Sequence, residues 1–188
     1  MASFQDRVLG ALKLQAATFE EVEHDTSATG QAATVVVAAA VLRGIATSIS
    51  TAMLGLGIGI VGLILGVVFA LIGWAVGSYV ILLVGTKLMP GKDTEADIGQ
   101  VLRVTGFATS PGLLGILGFV PIINILLFLV LAIWQIAAMV VGVKQALDYD
   151  DLVKPAIVCV IAWVIMFVVM SIVGLMGLAG AGVTSRFM

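Results

Sequence analysis

The sequence predicts an all-α polytopic membrane protein, five transmembrane helices preceded by an N-terminal amphipathic helix. Three observations carry that fold class. Mean hydropathy is +1.23 and only 11% of the 188 residues are charged, whereas about a quarter are charged in soluble domains. The apolar runs are as long as a helix needs to cross a ~30 Å hydrocarbon core, about 20 residues at ~1.5 Å each. Polar residues gather between these runs, where they supply turns and caps. The chain suffices for one polytopic domain, residues 1–188, with nothing substantial beside it.

Residues 2–24 space Phe4, Val8, Leu12, Phe19 and Val22 along one face, with Asp6, Arg7, Lys13, Glu20 and Glu21 between them. That pattern predicts an amphipathic helix that either caps the bundle or lies on the membrane surface. Glu20, Glu21, Glu23 and Asp25 argue against tight binding to anionic lipid. The early acids, and a first long apolar run that begins only near Ala32, are unlike a signal peptide. Asp25, Thr26 and Ser27 are N-cap residues for the first span. From Ala32 to Thr86 the chain is apolar for about twice the length of one span. It must turn once, and Ser48, Ser50 and Thr51 mark the place, giving spans at about 31–51 and 56–86.

Pro90-Gly91-Lys92-Asp93 is a turn signal, and Thr94 with Asp97 reads as a capping pair opening the third span, about 98–118. A short uncharged link at Phe119-Val120-Pro121 joins it to the fourth, about 124–147. Asp148, Asp150, Asp151 and Lys154 form a second polar loop, and Pro155 sits in the first turn of a fifth span, about 155–180.

Two runs in this order, VLRVTGFATSP (101–111) and LLFLVLAIWQIAAMVVGVKQAL (126–147), together with FEEVEHDTSATGQA (19–32) upstream, resemble the Yip1-domain membrane proteins. The resemblance covers nearly the whole chain and implies a single Yip1-like membrane domain. Eukaryotic members carry an acidic Asp-Leu-Tyr-Gly-Pro-like motif in a cytosolic region before the membrane domain. This sequence has no such motif and resembles the short prokaryotic type, to which a GTPase-binding role does not carry over.

Orientation follows from the basic residues. With five spans, Arg7, Lys13, Lys87, Lys92, Lys144 and Lys154 fall on the side of the N-terminus and only Arg186 on the other. The positive-inside rule then puts the protein in the cytoplasmic (inner) membrane with its N-terminus in the cytoplasm and its C-terminus outside. All 11 acidic residues also fall on the cytoplasmic side.

Reaction chemistry is sparse. His24 is the only histidine and Cys159 the only cysteine, and they are far apart in the chain, which argues against a metal site or a catalytic triad. Asp148, Asp150 and Asp151 lack the spacing and glycine of an EF-hand and read as a solvated cluster. Gly57, Gly59 and Gly62 match a dinucleotide fingerprint by letter, but no strand precedes them and leucine stands where the ribose-binding acid belongs. The sequence implies no cofactor, no nucleic-acid partner and no enzymatic activity.

Two intramembrane features remain. Gly59, Gly62, Gly66, Ala70, Gly73 and Gly77 recur every three or four residues along one face of the second span. Such a face admits a neighbouring helix closely, within the bundle or from a second copy. Arg43, Trp74, Ser110 and Gln135 each fall about 18 Å from the cytosolic end of their helices at ~1.5 Å per residue. Either Arg43 is internal, bonded to Gln135, Ser110 and carbonyls freed near Pro111 with Trp74 alongside, or it snorkels to lipid phosphate. The partners implied are the lipid bilayer and other membrane proteins or further copies of this chain. The leading function is a non-enzymatic membrane scaffold or adaptor. A transporter, channel or lipid-handling protein, or an accessory subunit of a larger membrane complex, are the alternatives.

Overall fold

A computed structural model describes residues 2–53, 55–56, 59–92, 94–119 and 121–184, and the side chains of these apart from 121–124 and 173–184. Among the described residues it is all-helical: α1 (Phe4–Leu12), α2 (Ala16–His24), α3 (Ala28–Ala52), α4 (Gly59–Leu83), α5 (Ile98–Ala108), α6 (Pro121–Ala146) and α7 (Val153–Thr184). A π-helical turn, Val84–Leu88, follows α4, and a 3₁₀ segment, Ser110–Phe119, follows α5. Five helical stretches are long and apolar enough to span a membrane: α3, α4 with its π turn, α5 with its 3₁₀ segment, α6 and α7.

The N-terminal segment is two helices where its spacing predicts one. Ser3 and Asp6 form a reciprocal capping box that starts α1. Leu14 then takes a left-handed conformation, φ 57°, and its N–H and that of Gln15 close onto the carbonyls of Ala11 and Gly10. The chain doubles back so tightly that a Cβ on Gly10 would lie 2.1 Å from Thr18 Oγ1. Glycine is required there for the two helices to touch. Doubling back lets both short helices fold over the end of the bundle, and Phe19 and Val22 become fully buried against it.

The third span is the axis of the fold. In its most apolar window 61% of residues are buried within the protein, against none in the window of α4. The core collects around it near the N-terminal lid: Phe19 and Val22 from α2, Ala32 and Val35 from α3, Val104 and Phe107 from α5, Val143 from α6 and Val158 from α7. The capping box of α5 pairs Asp97 with Gln100. Thr94 is not the partner its spacing suggests. Its hydroxyl instead donates to Leu147 O and accepts from the Gly91 N–H.

This span is not α-helical throughout. Pro111 has no N–H to give to Phe107 O and its ring crowds that turn, so the α pattern stops at Ala108. The continuation is 3₁₀, with three residues per turn. Gly112, Gly115 and Gly118 share that period, and all are buried. They bring the segment against α3, where a Cβ on Gly112 would lie 3.1 Å from Ala39 Cβ. Gly106 approaches closer still, with a Cβ placed 2.6 Å from Ala32 Cβ and 3.1 Å from its backbone.

Loops at the lid end tie together. Tyr149 Oη donates to Gly85 O at 3.3 Å and to Met89 O at 2.7 Å. The lid, residues 84–92 and 94–97 and the 147–152 loop therefore occupy one end of the bundle, the proximal end, and Ser50 and Phe119 lie at the other, distal end, where Ser50 Oγ donates to Phe119 O.

Candidate functional site

Polar side chains concentrate in two places, the proximal lid and a layer within the membrane. In the lid, Arg7 is buried and its guanidinium donates to Glu21 Oε1 at 2.9 Å, Asp25 Oδ2 at 2.6 Å and Gln31 Oε1 at 3.1 Å. One arginine thereby links α1, α2, the α2–α3 junction and α3. Burial pulls the Arg7 pKa down, but the Glu21 and Asp25 carboxylates outweigh it and the net direction is upward. Glu21 is held below the usual carboxylate range by the Ala2 N–H and then by Arg7. Asp25 is lowered by the Ser27 hydroxyl and then by Arg7. A second buried arginine, Arg103 of α5, donates from Nε and Nη2 to the carbonyls of Val22 and Glu23 at the end of α2. A cation at a helix C-terminus complements the carbonyls that the helix leaves unpaired.

Glu23 lies beside these carbonyls, 2% exposed. Its Oε1 accepts from Gln100 Nε2 at 3.3 Å, and its Oε2 has no partner. Burial first, and then the neighbouring Glu20, push its pKa up to about 7. His24 is exposed and is raised by its bond to the Glu20 carbonyl and by Glu23.

Among the spans, two of the four residues expected at one depth, Ser110 and Gln135, repair the break at Pro111. Ser110 Oγ donates to Phe107 O at 2.6 Å, the carbonyl that proline leaves without a donor. Gly112 N–H turns to Thr109 O, which strands Ala108 O, and Gln135 Nε2 donates to it at 2.6 Å. Trp74 Nε1 donates to Leu102 O at 3.2 Å and Thr105 Oγ1 at 3.1 Å, and Ser78 Oγ lies 2.7 Å from the same hydroxyl. The expected internal lock, Arg43 bonded to Gln135 and Ser110, does not form. Those side chains and the freed carbonyls have satisfied one another, and the Arg43 guanidinium has no hydrogen bond or ion pair among the described residues. Arg43 is exposed and lies nine residues from the end of α3, about 13 Å at ~1.5 Å per residue. An arginine at a helix centre costs about 2.5–3.5 kcal/mol on insertion scales, which favours pairing with an anion.

Arg43 stands where two cavities meet. The larger, about 860 Å³, runs along α4 from Gly62 to Ile81 and is also lined by residues of α3, α5, the 3₁₀ segment, α6 and α7. The smaller, about 640 Å³, lies among α3, the 3₁₀ segment, α6 and α7. Arg43, Thr47, Gln135, Met139 and Trp163 line both. The glycine stripe of α4 forms a wall of the larger one. A Cβ on Gly66, Gly73 or Gly77 would meet nothing within 4 Å, so among the described residues these glycines seat no helix.

The family model of the Yip1 domain matches residues 9–173. The chain belongs to the Yip1 domain family. No curated protein and no solved structure matches it. In this Yip1 domain the close small-residue contact is the one between Gly106, Gly112 and Gly115 and the face of α3 that carries Ala32, Ala39 and Arg43. The sequence held a signal for it, a three-residue glycine period directly after a proline. The signals for Arg7 and Arg103 were weaker. Each is a basic residue with no acid three or four residues away on its own helix. Among the described residues no group of three or more His, Cys, Asp or Glu side chains is placed to hold a metal. Cys159 is a buried free thiol.

Proposed function

We propose that this Yip1-domain chain is a non-enzymatic membrane scaffold or adaptor that binds other membrane proteins or further copies of itself. The observation that carries the reading is the lid. Arg7 and Arg103 are spent on fixing α1 and α2 to the bundle, and Trp134 Nε1 adds a bond to Leu12 O at 2.8 Å. What faces outward at that end is an acidic rim that includes Glu20, Asp148, Asp150 and Asp151. Lys13, Lys87, Lys92 and Lys154 are exposed at the same end, and a rigid surface of patterned charge favours partner selection over chemistry. The outer face of α4, with Ile64, Val68, Ile72 and Val76 exposed, supplies apolar area for a neighbouring membrane helix. Family membership supports the same reading.

The rim faces the cytoplasm in this proposal, as the basic asymmetry requires. A cysteine at Glu95 in a Cys159→Ser background is expected to label from the cytoplasmic side, and labelling only from outside reverses the orientation. Mild-detergent extraction from native membranes is expected to give a stoichiometric complex that dissociates when Glu20→Gln and Asp150→Asn are combined, with thermal unfolding unchanged. A monomer that conducts solute in liposomes would replace the scaffold reading with a transport one.

A further inference from the structure

We infer that the paired cavities form a seat for one two-chain anionic phospholipid of the surrounding bilayer, its phosphate on Arg43 and its acyl chains in the two chambers. This inference is independent of the scaffold reading. It begins with space. The larger chamber follows α4 for 19 residues, Gly62 to Ile81, about 28 Å at ~1.5 Å per residue and close to the ~30 Å hydrocarbon thickness. Arg43 and Phe69 of its lining are exposed, so a chain can enter it sideways from the bilayer. An acyl chain is slim and flexible enough to do so. Away from Arg43, Thr47, Ser78, Thr105, Thr109 and Gln135 the walls are glycine, alanine and large apolar side chains, which suit an acyl chain. Left empty, they would forfeit their dispersion contacts.

Charge selects the ligand. Arg43 is shared by both chambers, and its guanidinium, with five donors, is unpaired among the described residues. Phosphate suits a guanidinium because two parallel N–H donors can engage two of its oxygens. The smaller chamber also includes Ser50 and Thr51, so it reaches toward the distal membrane interface where headgroups lie. A phosphate entering at that level reaches Arg43 about 10 Å further in, seven residues from Ser50 at ~1.5 Å per residue, and its two chains part into the two chambers at the Arg43–Thr47–Gln135 divide. The open glycine face is explained too: any side chain at Gly66 or Gly73 would occupy the groove.

The test uses the full-length protein in mild detergent with added phosphatidylglycerol or phosphatidylcholine, read by native mass spectrometry. The wild type is expected to retain one phosphatidylglycerol per chain in preference to phosphatidylcholine. Arg43→Gln is expected to weaken that retention about ten- to a hundredfold, the worth of a hydrogen bond to a charged group, and Arg43→Lys is expected to restore part of it. Gly73→Leu fills the chamber with Arg43 intact and is expected to expel the lipid, whereas Ile72→Leu on the outer face of α4 is not. Retention that is the same in wild type, Arg43→Gln and Gly73→Leu overturns the seat. So does a lipid-free dimer whose interface crosslinks from position 73, since a second copy would then be the occupant.

Discussion

Replacing Glu23 with glutamine isolates the energetic consequence of a carboxyl buried without a full set of partners. Glu23 is 2% exposed, has one oxygen bonded to Gln100 and the other to nothing, and titrates at about 7 where an ordinary glutamate titrates at 4.5. At about 1.4 kcal/mol per pH unit, that displacement corresponds to about 3 kcal/mol between the two protonation states. The native protein holds this proton more tightly than the unfolded chain does. Between pH 4.5 and about 7 the native state therefore binds more protons, and stability falls as pH rises through that window. His24, raised by its bond to the Glu20 carbonyl and then by Glu23, loses stabilisation in the same direction, so the comparison is made in a His24→Gln background. Asp6, Glu21 and Asp25 are lowered and act below the window. Glu23→Gln imitates the protonated carboxyl. Thermal unfolding in detergent is expected to match the His24→Gln parent near pH ~4.5 and exceed it above pH ~8 by the full 3 kcal/mol or so, about 6–12 °C for a chain of this size. A variant that is less stable than that parent at the higher pH would show that ionised Glu23 is stabilising, and the reasoning would fail.

Two further outcomes test the packing. Arg7→Leu leaves Asp25 and Glu21 facing one another without their cation, and is expected to destabilise by about 3–5 kcal/mol. Limited proteolysis is then expected to release α1 before the spans are cut, and an intact lid in the variant would contradict the clamp. Gly106→Ala drives a methyl into Ala32 and is expected to cost about 1–3 kcal/mol. Gly73→Ala, where the new Cβ meets nothing within 4 Å, is expected to be neutral or to gain up to about 1 kcal/mol from helix propensity. Equal melting shifts for the two would refute the distinction between the closed and open glycine faces.

The sequence by itself determined the membrane character, the number of spans and the helical class, because in hydrocarbon a backbone must satisfy its own hydrogen bonds and length and hydropathy report that demand directly. It also placed the turn at Pro90-Gly91, the loop at Asp148 and Asp150, and the family. Tertiary structure decided which glycines are filled and which are open. A three- or four-residue period describes one helix face and carries no information about what stands opposite, so the stripe from Gly59 to Gly77 and the closer contact at Gly106 look alike until α3 is in place. It also decided the fate of the polar layer. Equal depth along separate helices does not make side chains neighbours, and Pro111 freed carbonyls that claimed Ser110 and Gln135 before Arg43 could reach them. The doubling back at Leu14 was likewise invisible, since its left-handed backbone is stabilised by contacts such as Gly10 against Thr18 that exist only once both helices rest on the bundle.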